Sequence, residues 1–207
     1  MVNALNTAAR RVPTWAVYLL TLIPVPYLLY LGMTGGLGRE PVERLEHELG
    51  EIAIQLLIVG LCISPLRRFA GVNLLKFRRT LGVLAFTYVC LHLLVWAVLD
   101  VQSLERVWAD IVKRPYITIG MAAFVMLLPL ALTSNNWSVR KLGPAWRRLH
   151  LLTYPIVLMS ALHFIWVRKG FQIEPLIYAA VIIGLLALRW VPRRQAGSAG
   201  QPRNNPT

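Results

Sequence analysis

The chain has 207 residues, of which 57% are hydrophobic and only 15% charged, against about 25% charged in an average soluble domain. That composition excludes an ordinary water-soluble globule, and the net charge of +13 reads as a membrane feature rather than a nucleic-acid one because of where the charges fall. The only two cysteines, Cys62 and Cys90, form no CxxC or CxxCH pair, which argues against covalent c-type haem and a cysteine zinc site.

The apolar residues come in blocks of spanning or near-spanning length, for which ~17–25 residues are needed. The first is Val12–Gly32. Arg10 and Arg11 precede it, but no small-residue cleavage site follows, so an uncleaved helix is expected rather than a signal peptide. An acidic segment, 33–50, comes next, and Pro41–Leu49 within it has the apolar spacing of a short interfacial helix. Glu51–Leu66 is the second block, the shortest, and it begins on a charge. Leu81–Leu99 is the third. Segment 100–115 carries another short helical pattern over Ser103–Val112. Tyr116–Leu132, Leu151–Val167 and Pro175–Val191 complete a set of six, and Gln195–Thr207 has the Gly, Pro, Asn, Ser and Gln content of a disordered tail. The expected architecture is an all-α integral membrane protein: a terminus at 1–11, a six-helix transmembrane bundle at 12–191, and a tail at 192–207.

Charge orients the bundle. If the N-terminus is cytoplasmic, the inner segments hold Arg10 and Arg11; Arg67, Arg68, Lys76, Arg78 and Arg79; Arg140, Lys141, Arg147 and Arg148; and Arg189, Arg193, Arg194 and Arg203. These are 15 of the 22 basic residues, while all nine acidic residues fall outside. The positive-inside rule then predicts an N-in, C-in topology. No GxGxxG or P-loop pattern occurs, so no nucleotide-binding domain is expected. Electrons, if the protein moves them, must arrive and leave through other molecules.

There are four histidines, His47, His92, His150 and His163. An ionisable side chain at membrane depth is costly and is a functional candidate by default, although a lone one often only bonds a neighbouring helix. His92 lies eleven residues beyond Leu81, and His163 thirteen beyond His150 at the inner end of its span. At ~1.5 Å per residue, His92 and His163 stand at similar heights, roughly 16–20 Å above the inner boundary. Two neutral imidazoles at one height on two helices suit the axial ligation of one haem iron.

His150 lies about 20 Å below His163 on the same span, which suits a second centre near the cytoplasmic face. Thirteen residues leave the two side chains about 140° apart on a straight helix; Pro155 between them supplies a possible kink. The third span offers no inner histidine to pair with His150, so the inner site has one protein ligand, another kind of ligand, or no haem. Arg147 and Arg148, and likewise Arg78 and Arg79, are candidates for haem propionates or a flavin phosphate, beside the simpler reading that they only set topology. His47, between Glu46 and Glu48, reads first as a surface histidine and second as a residue near an outer haem edge or quinone pocket. Trp96 and Trp166 read as core packing before haem packing.

Eight stretches together resemble a known family: GGLGREPVERLEHELGE, ISPLRR, FRRTLGVLAFTYVCLHLL, KRPYITIGM, LTSN, RKLGPAWRRLHLLTYP, LHFIW and PLIYA, spread over residues 35–179. They resemble the MsrQ (formerly YedZ) family, haem-binding membrane subunits of the MsrPQ methionine sulfoxide reductase system. The resemblance implies a ferric-reductase-like transmembrane fold in a bacterial inner membrane and b-type haem, one or two. It places His92, His150 and His163 at the family's ligand positions. It also implies electron transfer from the quinone pool, with FMN as an optional cofactor, to a periplasmic molybdopterin partner, MsrP, that repairs oxidised periplasmic proteins. Two other classes remain in play. A proton-coupled transporter would be expected to carry acidic residues deep within spans, and a self-contained NADPH-driven ferric reductase would need a soluble nucleotide domain.

Overall fold

The computed structural model describes residues 1–168 and 172–191, and all their regular structure is helical. The tail at 192–207, with Arg193, Arg194 and Arg203, lies outside the described residues. In chain order the helices are α1 (Val2–Arg11), α2 (Thr14–Leu22), α3 (Pro24–Met33), α4 (Pro41–Phe69), α5 (Arg78–Leu94), α6 (Leu104–Lys113), α7 (Pro115–Leu132), α8 (Asn136–Leu142), α9 (Pro144–Leu149), α10 (Thr153–Val167) and α11 (Ile173–Trp190). Among the described residues, five helices or helix runs are long and apolar enough to cross a membrane: Thr14–Met33, Pro41–Phe69, Leu75–Val101, Pro115–Leu132 and Pro144–Val167.

Several boundaries depart from the sequence expectation, each for a local reason. The first block is divided into α2 and α3 at Pro24, whose ring leaves a backbone carbonyl without its N–H partner. The second is much longer than Glu51–Leu66. It runs for 29 residues, because Pro41 sits at the first helical position, where its missing N–H costs nothing, and no breaker follows until the last turns. The acidic run 41–50 is therefore the N-terminal end of α4 and not a separate interfacial helix. After α5 the chain widens into a π-helical segment, Val95–Val101, ended by Gln102 in the left-handed conformation. The irregularity expected at Pro155 falls earlier, in a 3-10 turn over His150–Leu152 between α9 and α10.

The core lies where α4 packs on α5, α7 on α10, and α11 on both α10 and α4. Ile63, Leu84, Ala85, Tyr88, Ile156, Val157 and Ile182 are essentially inaccessible there. Outward-facing apolar residues such as Leu20, Ile23, Val59, Val125 and Ile183 are at least half exposed, far more apolar surface than a soluble monomer leaves uncovered. Polar ties are few and specific. Tyr88 donates its hydroxyl to the Thr21 carbonyl, joining α5 to α2. Arg189 Nη1 donates to Tyr154 Oη at 2.8 Å and its Nη2 to the Leu61 carbonyl at 3.1 Å, joining α11 to α10 and α4.

Candidate functional site

Four helices converge on two histidines. His92 lies near the end of α5, just before the π-helical segment, and His163 lies on α10. Their ring centroids are 6.3 Å apart with the planes at 81°. His92 Nδ1 is 2.9 Å from the Glu46 carbonyl oxygen on α4. His163 Nδ1 is 2.7 Å from the Tyr116 carbonyl oxygen on α7. A carbonyl can only accept, so both Nδ1 atoms carry the proton and both Nε2 atoms keep a free lone pair. A hydrogen-bond acceptor on one ring nitrogen is how metal-binding histidines are held in tautomer and orientation.

The pair borders a cavity of about 550 Å³. Leu57, Val89, Phe124, Leu127 and Ile156 give it apolar walls, and Glu40, Glu43, Asp100 and Arg114 add charged groups to its lining. Among the described residues no group of three or more His, Cys, Asp or Glu side chains converges to hold a bare ion. Two imidazoles supply two donors, so a metal here needs its remaining ligands from a cofactor's own ring. The two rings, with centroids 6.3 Å apart, are near enough to share one metal through bonds of about 2 Å. Haem fits the donor set, the protonation pattern, the spacing and the apolar walls.

His150 is held in the same way but elsewhere. In the 3-10 turn its Nδ1 lies 3.0 Å from the Trp146 carbonyl oxygen, and its ring stacks on the Trp146 indole at a centroid distance of 3.8 Å. Its Nε2 is buried and makes no regular hydrogen bond among the described residues, and the ring also lies beside the Leu130 carbonyl. It does not line the cavity shared by His92 and His163.

The four arginines singled out in the sequence also lie away from that cavity. Arg79, Arg147 and Arg148 are exposed, and Arg79 donates to Asn136 Oδ1 at 2.7 Å. Arg78 begins α5 beside Arg79. The structure places His47 on the cavity wall, in the N-terminal part of α4. Trp96 is buried on the same wall, whereas Trp166 is half exposed. The carbonyls of Glu46 and Tyr116 were not foreseen, since a backbone acceptor leaves no side-chain mark in the sequence.

Residues 45–161 match the family described as "Ferric reductase like transmembrane component". Curated relatives from Brucella ovis, Brucella canis and Brucella suis are each 44% identical over 196 residues, covering 91% of this chain and 89% of theirs. Each is named "Protein-methionine-sulfoxide reductase heme-binding subunit MsrQ". No solved structure matches the chain. The matched domain and the near full-length identity agree with the helical membrane bundle, and the chain belongs to the MsrQ family, with a ferric-reductase-like transmembrane component.

Proposed function

We propose that this chain is the b-type haem membrane subunit of a methionine sulfoxide reductase system. It draws electrons from the quinone pool and delivers them across a bacterial inner membrane to a periplasmic molybdopterin subunit, MsrP, which reduces oxidised periplasmic proteins. The observation that carries this reading is the pair of neutral imidazoles, His92 and His163, each fixed by a backbone carbonyl and 6.3 Å apart beside an apolar cavity. Haem b held by this pair supplies one-electron redox chemistry at the outer half of the bundle.

The chain's own residues do the rest. Glu46 and Tyr116 hold the ring orientations through their carbonyls. The walls from α4, α5, α7 and α10 keep water from the metal and favour a low-dielectric site. In this reading His150, its Nδ1 held by the Trp146 carbonyl, would offer Nε2 to an inner haem. Arg78, Arg79, Arg147 and Arg148 would be the cationic partners of that haem's propionates, or of the phosphate of an FMN at the cytoplasmic face. The 18-residue helix α11 is the sixth span. The basic inner segments give an N-in, C-in topology, with residues 1–11 and 192–207 cytoplasmic. The carboxylates at the outer end of the cavity then face the periplasm.

Purified full-length protein should show a b-type Soret band that shifts to its reduced form when a quinol is added in excess. Protein without haem, or with haem that a quinol leaves oxidised, would contradict the proposal at the cofactor or at the donor respectively.

A further inference from the structure

Helix-interior glycines are destabilising, so each one retained in a long helix calls for a reason. Five lie within the long helices α4, α5, α7 and α11: Gly50, Gly60, Gly82, Gly120 and Gly184. A Cβ built on Gly60, Gly82 or Gly184 would meet nothing within 4 Å. The other two differ. A Cβ at Gly120 would stand 2.9 Å from both Nδ1 and Cε1 of His163, and a Cβ at Gly50 would stand 3.2 Å from Nδ1 and 3.4 Å from Cε1 of His92. Ordinary contacts begin at about 3.5 Å. The ring edge that would be struck is the edge that makes the hydrogen bond.

The register explains the coincidence. In an α-helix the carbonyl of residue i accepts the N–H of residue i+4, and both lie on one face. Gly50 is four residues after Glu46, and Gly120 is four after Tyr116. An imidazole that docks on either carbonyl must therefore lie across the fourth residue beyond it, and only a residue without a side chain leaves that space open. The same arrangement occurs on two different helices for two different histidines.

We propose that Gly50 and Gly120 are positioning residues for the metal-ligating pair: their missing side chains let His92 and His163 press against α4 and α7 and keep each Nδ1–H bonded to a helix carbonyl. This rests on the haem ligation proposed above. An Nδ1–H bond makes the imidazole a stronger donor and favours the oxidised metal, so its loss should move the haem potential upward.

The test is an alanine series in the purified full-length protein, read by midpoint potential, ferric low-spin spectrum and haem retained against competing apomyoglobin. Gly120→Ala should raise the potential and weaken haem retention by about 10–100-fold, the usual cost of losing an outer-shell partner. Gly50→Ala should act in the same direction by less, because its contact is softer. Gly60→Ala, Gly82→Ala and Gly184→Ala should match the wild type in all three readouts. If Gly120→Ala fails to fold, Gly50→Ala decides. Wild-type potential and spectrum in the foldable variants of this pair would overturn the glycine role while leaving the ligation standing. A wild-type protein without a low-spin bis-imidazole spectrum would overturn both.

Discussion

Replacing His150 with phenylalanine separates its structural role from its ligand role. The His150→Phe ring keeps the stack on Trp146, whose centroid lies 3.8 Å away. It loses the Nδ1–H bond to the Trp146 carbonyl, a loss of about 0.5–1.5 kcal/mol. It also removes the buried, unpartnered Nε2, relieving about 1–3 kcal/mol of uncompensated burial. The net effect on haem-free protein then lies between about 0.5 kcal/mol of destabilisation and about 2.5 kcal/mol of stabilisation, measurable by denaturant unfolding in detergent. If the proposed inner haem is bound, the same substitution removes it, so the haem-to-protein ratio should fall from two towards one while the spectrum of the His92–His163 pair stays unchanged. An unchanged ratio would refute the inner site. A changed low-spin spectrum at the outer pair would refute the independence of His150 from His92 and His163.

Two further outcomes follow from the packing and the charge distribution. Tyr178 on α11 donates its hydroxyl to Glu51 Oε1 at 3.1 Å and accepts from Gln55 Nε2 at 2.7 Å. Tyr178→Phe should therefore cost about 0.5–2 kcal/mol in a denaturation titration, and a change below the error of that titration would show that this network does not anchor α11. In protein with Cys62 and Cys90 replaced by serine, a cysteine introduced at Asn73 should react with an impermeant maleimide only after the inner face is opened. One at Glu105 should react in intact cells. The opposite pattern would invert the topology.

Five of the six expected spans were legible, since long apolar runs have few alternative readings. The meeting of His92 and His163 was legible too, since equal distance from two inner boundaries translates directly into equal height. The N-terminal end of α4 was not. Glu43, Arg44, Glu46, His47 and Glu48 read as part of a short interfacial helix separate from the span, yet all belong to one continuous helix that begins at Pro41. His47 lies on the cavity wall, the side of its second reading rather than its first. The break in the first span at Pro24 and the 3-10 turn at His150 were hidden for a related reason: local breaks depend on which backbone groups find partners, and hydropathy does not register them. The carbonyl acceptors at Glu46 and Tyr116 have no side-chain signal of their own, and the trace they leave is the glycine four residues later.

The central claim is that His92 and His163 together hold one haem. Electron paramagnetic resonance of the oxidised protein tests it most directly, in the wild type and in His92→Ala and His163→Ala. The account predicts a low-spin bis-imidazole signal in the wild type and its loss in each variant, replaced by high-spin haem or by no haem. Persistence of the wild-type low-spin signal in either variant would contradict it.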